Sequence, residues 1–313
     1  MDYFNPVFFT LYYGENVMSD LRYDGKVAIV TGAGNGLGKC HALYLASRGA
    51  KVVVNDLGGA VDGTGSSDAA AQLVVDEIKA AGGEAVANFN SVSDRESAKA
   101  IIQTAIDNYG TLDILVNNAG ILRDKSFKNM TDDEYQLVID VHLMGTVWVC
   151  KAAWPILYEK QYGRIINTTS AASFGNFGQT NYSGAKAGIT GFSKALAQEG
   201  SRKNIKVNVL APMARTRMTE ELLGPMAKDL HPELVTPVVA YCASEDCAVT
   251  GEVFSAGGGR VARIFWGVTP GIHEAEITGE NIRDNLDAVM DTSEMIVASS
   301  PADEMALMSI AKG

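Results

Sequence analysis

From Lys26 onward the chain alternates short β-branched runs with longer stretches of helical period. VAIVTGA (27–33) predicts a buried strand entering a Gly-rich turn, and LGKCHALYLASRG (37–49) a helix that stops at glycine. KVVVNDLGG (51–59) predicts a second strand, GAVDGTGSS (59–67) a turn-rich loop, DAAAQLVVDEIKAAGG (68–83) a helix and EAVANFN (84–90) a third strand. In SDRESAKAIIQTAIDNYG (93–110), Ser93, Glu96 three residues later and the closing glycine predict a capping-box helix. LDILVNNAG (112–120) predicts a fourth strand, and residues 131–160 one long helix. GRIINTTSAAS (163–173) predicts a fifth strand, followed by a helix carrying NYSGAKAG (181–188). IKVNVLAP (205–212) and GEVFSAGGG (251–259) complete the series. Strands this apolar are buried on both faces. The pattern therefore predicts an α/β fold: a single doubly wound, Rossmann-type parallel sheet of about seven strands with helices on both faces.

Three segments follow. Residues 1–21 form an aromatic lead, expected to be disordered or a small docking segment; it starts with an acid and lacks the cationic region of a secretory signal, and Met18 is an alternative start. Residues 22–260 carry the alternating pattern. Residues 261–313 form a C-terminal extension with three Lys/Arg against nine Asp/Glu, in which ITGENIRDNLDAVMD (277–291) predicts one helix.

The net charge of −11 argues against a nucleic-acid or anionic-membrane partner, which calls for a basic face. The apolar runs fall short of the roughly 20 residues that span a bilayer, so no membrane span is expected. Cys40, Cys150, Cys242 and Cys247 lack metal-ligand spacing, so buried free thiols are expected and no metal. The terminal AKG is not an SKL-type peroxisomal address.

The chemistry is concentrated at strand ends. TGAGNGLG (31–38) lies between a predicted strand and a predicted helix, where glycines let the backbone approach a pyrophosphate that the helix N-terminus attracts. Thr31, Gly32, Asn35, Gly36, Leu37 and Gly38 are its candidate cofactor residues. Asp56, eighteen residues after Gly38, stands where a carboxylate binds the adenosine ribose hydroxyls and repels a 2′-phosphate; its plainer reading is a turn residue. NNAG (117–120) ends the fourth predicted strand on the same side of the sheet. Tyr182 and Lys186 are four residues apart on a predicted helix and share one face. An ammonium held near a phenol favours the phenolate, and a Tyr tuned this way can pass a proton near neutrality; whether it does rests on the rest of the sequence.

Thr31, Gly32, Gly36 and Gly38, then NNAG, Ser170, Tyr182 and Lys186 together resemble, in order over about 240 residues, the short-chain dehydrogenase/reductase family. RYDGKVAIVTGAGNGLG, VVVNDLGG, NNAGILRDKSF, VHLMG and NFGQTNYSGAK resemble most its members that act on (3R)-hydroxyacyl-CoA in peroxisomal multifunctional enzymes and bacteria. The resemblance implies that Tyr182 is the acid/base, that Lys186 lowers its pKa and holds the nicotinamide ribose, and that Ser170 hydrogen-bonds the reacting oxygen. Ser170 lies twelve residues before Tyr182 where the family usually has thirteen; Thr169 and Ser173 are the competing hydroxyls. His142 stands where the family often has an Asn of a proton relay, and a satisfied helix histidine is the alternative. Val92, Asn118, Ala119 and Gly120 are implied cofactor contacts. Asn90 replaces a usual Asp beside the adenine. AP (211–212) and TRMT (216–219) resemble the segment bordering nicotinamide and substrate, with Arg215 and Arg217 readable as plain loop residues.

The implied activity is NAD-dependent oxidation of a secondary alcohol, foremost (3R)-3-hydroxyacyl-CoA to the 3-oxoacyl thioester. A hydroxysteroid (17β-type) dehydrogenase and a 3-oxoacyl thioester reductase are the alternatives among enzymes, and a catalytically silent scaffold the alternative outside them. A homodimer or homotetramer is implied, working in the bacterial cytoplasm or, in a eukaryote, the peroxisome.

Overall fold

The computed structural model describes residues 20–216 and 228–310. Most of the lead, Met18 with it, and Arg217 with the rest of TRMT after Thr216 lie outside the described residues. An eight-stranded sheet forms the centre. β1 (Val27–Thr31), β2 (Lys51–Asn55), β3 (Glu84–Asn88), β4 (Ile114–Asn117), β5 (Gly163–Thr168), β6 (Ile205–Pro212) and β7 (Val253–Gly257) are mutually parallel in the order β3-β2-β1-β4-β5-β6-β7. β8 (Arg260–Ile264) adds to β7 antiparallel. This eighth strand is one more than the pattern predicts. It is an edge strand, half exposed and only five residues long, so RVARI lacks the continuous apolar run that marks the inner strands.

Alternate residues of β1 divide between two cores. Ala28 and Val30 pack with Leu45 of α1 (Gly36–Ser47), Val74 of α2 (Ala69–Ala80) and Val239 of a later helix. Val27 and Ile29 pack with Ile101 of α3 (Arg95–Tyr109) and with Val149 and Leu157 on the opposite face. Burial on both faces is what the continuous apolar strands require.

The α3 start corrects the capping-box expectation. Asp94 is the N-cap: it is extended and its carboxylate accepts from Ser97 N at 2.7 Å, while Ser93 is occupied with Ser91. A carboxylate at the helix's positive end is as good a cap as a hydroxyl and adds charge. Gly110, in the left-handed region at φ 76°, closes the helix as expected.

The long helix of 131–160 is α4 (Asp132–Ile139), a π-helical turn (Asp140–Met144) and α5 (Gly145–Lys160). By length and composition this unbroken 29-residue stretch passes for a membrane span. Val149, Cys150, Ala153 and Leu157 instead bury one face of α5 against the sheet, as in the core helix of a folded domain. α6 (Thr180–Gly200) follows β5, and α7 (Thr236–Ala243) follows β6.

Beyond β8, β9 (Gly267–Val268) and β10 (Ile296–Val297) form a two-stranded ribbon. The helix predicted over 277–291 is two short helices, α8 (Gly279–Asp284) and α9 (Leu286–Met290), broken at Asn285 (φ −120°, ψ 24°). α10 (Pro301–Ile310) ends the described chain.

Candidate active site

The sheet order reverses at β1, so the carboxyl ends of β1 and β4 diverge there and open a crevice. A cavity of about 850 Å³ occupies it. Gly32, Asn35, Gly36, Leu37, Asp56, Val92, Asn118, Ala119, Gly120, His142, Ser170, Tyr182 and Lys186 all line it. Two of the expected cofactor residues do not: Thr31 and Gly38 stand behind its wall and shape it.

Thr31 Oγ1 accepts from Asn118 N at 3.0 Å and Ala119 N at 3.2 Å, and the Asn118 amide donates to the carbonyls of Thr31 and Gly32, each at 3.0 Å. These four bonds tie the end of β4 to the Gly-rich turn. The close packing explains two glycines. A Cβ on Gly32 would lie 2.7 Å from Ala119 Cα, and one on Gly38 would lie 2.6 Å from Asn118 Nδ2. Asn35 makes no side-chain cap on α1, so the cap residue itself does not compete with an anion for the first turn and the helix dipole.

Asp56 has a structural duty as well. One carboxylate oxygen accepts from Gly34 N at 2.8 Å and the other from Gly58 N at 2.7 Å. The carboxylate thus braces the Gly-rich turn and retains lone pairs for ribose hydroxyls. Glycine turn, open helix terminus and strand-end carboxylate together fit a dinucleotide.

At the other end of the cavity, β5 delivers Ser170 and the first turns of α6 deliver Tyr182 and Lys186. The Ser170 side chain stands by the Tyr182 hydroxyl, where it favours the phenolate, and Ser170 Oγ accepts from Ala172 N at 3.1 Å. The competing hydroxyl, Thr169, is buried and donates to Lys186 O at 2.7 Å. Ser173 is absent from the lining. Lys186 is 3% exposed; its Nζ donates to Thr168 O at 2.7 Å and lies 5.4 Å from the centre of the Tyr182 ring.

The electrostatics depart from the sequence-based expectation. Burial pushes the Tyr182 phenol up to about 12, against the opposing Ser170 side chain, and pushes Lys186 down to about 7. In a water-poor cleft each group favours its neutral form, and desolvation outweighs their mutual attraction at this distance. Bringing the phenol from about 12 to near neutrality takes roughly 7 kcal/mol, so the lysine does not accomplish it alone.

The π-helical turn places His142 beneath Tyr182, the two rings 5.0 Å apart and edge to face. The imidazole is 2% exposed, and burial holds it well below its ordinary pKa. Nε2 lies 2.8 Å from Ile121 O and 3.1 Å from Ile121 N, while Nδ1 is buried without a hydrogen-bond partner among the described residues. The ring fits against Gly120, where any Cβ would overlap it.

A sequence model of the family described as short chain dehydrogenase matches residues 26–225. This chain belongs to the short-chain dehydrogenase family. It is an oxidoreductase by that membership. The peroxisomal hydratase-dehydrogenase-epimerase of Neurospora crassa is 48% identical over 295 residues, 92% of this chain and 33% of that protein. The structure of full-length peroxisomal multifunctional enzyme type 2 from Drosophila melanogaster matches with a TM-score of 0.77 at 36% identity, over 93% of this chain and 50% of that one. A 7α-hydroxysteroid dehydrogenase, solved with NADH and 7-oxo glycochenodeoxycholic acid, matches with a TM-score of 0.69 at 30% identity, over 76% and 95% of the two chains. The chain thus spans a third to a half of the two longer relatives.

Sequence reasoning missed one wall of this short-chain dehydrogenase's cavity. The loop read only as turn-rich contributes Gly59, Ala60, Val61 and Gly63 to the lining, next to Leu57 from the end of the predicted second strand. It is held by Leu122 N donating to Val61 O at 3.0 Å and Arg123 Nε donating to Asp62 O at 2.6 Å. Nothing local marks such a contact, since its partner is some sixty residues away. Asn90 also lines the cavity, with its carbonyl accepting from Asn55 Nδ2 at 2.9 Å.

Proposed function

We propose that the chain catalyses NAD-dependent oxidation of a secondary alcohol, with (3R)-3-hydroxyacyl-CoA as substrate and 3-oxoacyl-CoA as product. The observation that carries this reading is one cavity with a dinucleotide cradle at one end and Ser170, Tyr182 and Lys186 at the other. Nicotinamide, when bound, supplies the hydride acceptor. Ser170 holds the substrate oxygen, and Tyr182 takes its hydroxyl proton as the carbon–oxygen double bond forms. Lys186 has N–H donors beyond its bond to Thr168 O, available to ribose hydroxyls. His142, through its Nδ1, unpartnered among the described residues, offers a proton route past the lysine.

Asp56 supports NAD over NADP, because a carboxylate at that position repels a 2′-phosphate. The 48% identity to a protein named as a hydratase-dehydrogenase-epimerase supports a dehydrogenase, and the resemblance of VVVNDLGG, NNAGILRDKSF and NFGQTNYSGAK supports the acyl-CoA substrate. The 30% identity to a hydroxysteroid dehydrogenase favours a steroid as the second reading. Apolar residues exposed beyond the sheet, among them Trp266, Met290 and Met305, support a homo-oligomer.

A steady-state screen on NADH absorbance tests the reading with (3R)- and (3S)-hydroxyacyl-CoA of several chain lengths and a hydroxysteroid panel. Preference for the (3R) thioesters is expected. A dominant steroid activity overturns it.

A further inference from the structure

Two side chains of α6's first turn and its cap are tied to a segment on which the proposed chemistry makes no demand. Gln179, the N-cap residue of α6, is 5% exposed and lines the cavity. Its Nε2 donates to Asp124 Oδ2 at 2.6 Å, and its Oε1 accepts from Asn176 Nδ2 at 2.9 Å. Its backbone carbonyl accepts from Ser183 N at 2.7 Å, inside the same turn. Asn181 is fully buried; its amide donates to Arg123 O at 3.1 Å and its oxygen accepts from Tyr182 N at 2.7 Å. Lys125 N donates to Gly178 O at 2.9 Å. Residues 123–125 therefore grip the chain on both sides of Gln179, three residues before the Tyr182 hydroxyl.

We propose that Asp124 is a positioning residue for the Tyr182 chemistry: through Gln179 it holds the start of α6, from which the phenol is presented to the cavity. A bond to an ionised acceptor is about twice as strong as a neutral one, so it suits a residue that must not move. The residue as a whole is exposed, but its carboxyl meets Gln179, and loss of hydration raises its pKa despite that bond. The Asp124 charge in turn adds to the raising of the Tyr182 phenol. The other titratable groups around Tyr182 are Lys186 on its own helix and His142 from the π-helical turn. Beside Asp124, Lys125 is paired with Glu134 at 2.6 Å and Arg123 donates to Asp62 O, so neither is committed to Asp124. Asp124 thus fixes the place of Tyr182 through Gln179, and its charge is the smallest of the influences on the phenol.

The proposal rests on Tyr182 as the acid/base but not on the identity of the alcohol. The full-length protein and its Asp124→Asn, Asp124→Ala and Gln179→Leu variants are compared in the pH profile of kcat/KM for whichever secondary alcohol is oxidised, and in tyrosinate absorbance with NAD bound. Asn keeps an acceptor for Gln179 and removes the charge. It is expected to keep the plateau kcat within about twofold and to lower the pKa of the rising limb only slightly. Ala removes acceptor and charge, adding about a tenfold loss of plateau kcat to the same small shift. Leu at 179 keeps the charge and is expected to give the tenfold loss without a downward shift. An Ala variant or a Gln179→Leu variant with full plateau kcat overturns the proposal. So does a loss of melting temperature with an unchanged profile, which makes Asp124 purely structural. Failure of the acyl-CoA reading shows separately, as a change in which alcohol is turned over.

Discussion

Lys186 Nζ lies 5.4 Å from the centre of the Tyr182 ring, and the lysine, at 3% exposure, has lost nearly all its water. Burial drives the pair apart in an unexpected sense: the phenol up to about 12, the ammonium down to about 7. In this conformation only the lysine titrates near neutral pH, and ligand binding must supply the rest of the phenolate stabilisation.

Replacing Tyr182 with Phe removes the proton acceptor and little volume. Turnover is expected to fall roughly a hundred- to ten-thousand-fold while NAD still binds. NADH absorbance checks the first and quenching of protein fluorescence by NAD the second.

Tyrosinate absorbance should report the same residue directly. Without NAD, Tyr182 is expected to ionise well above the usual phenol range, and with NAD below pH 9. A Tyr182 that shows no ionisation below pH 9 with NAD bound defeats the proposed mechanism. The Tyr182→Phe protein provides the baseline for other tyrosines.

Lys186 also carries a stability signature. Its folded pKa, about 7, is below its ordinary 10.5, so between those values the unfolded chain binds more protons and stability rises with pH. The cost of burying the ammonium is complete below pH 7 and gone above 10.5, at most about 5 kcal/mol. Lys186→Met, neutral throughout, is expected to be the more stable protein near pH 7, with a flatter profile in urea unfolding from pH 7 to 10.

His41 acts at the acid end. It is fully buried on α1, bonded through Nδ1 to Thr236 Oγ1 at 2.9 Å, with Nε2 unpartnered among the described residues. Burial holds it at about 3 against an ordinary 6.5. The unfolded chain binds the extra proton first, so stability is expected to fall as pH drops from 6.5 to 3. His41→Gln should lessen that slope in unfolding curves across the same range.

Asp56→Ala removes the acceptor of both Gly34 N and Gly58 N. A rise in KM for NAD of about ten- to a hundredfold is expected, with discrimination against NADP reduced. Parallel NAD and NADP titrations measure both.

Local pattern was enough for the seven parallel strands, the Gly-rich turn at their switch point, and the pairing of Tyr182 with Lys186. Strand and helix periods repeat within a few residues, and a doubly wound sheet buries its strands so completely that each announces itself. Contacts between distant segments were beyond that reach. That Thr169 Oγ1 is spent on Lys186 O, seventeen residues on, was visible only once α6 was in place. The grip of Asp124 on Gln179 spans fifty-five residues, and RVARI became a strand only because β7 lay open beside it. Proton affinity was the furthest from view: it depends on how much water each group loses, and that is a property of the assembled cleft rather than of any neighbour along the chain.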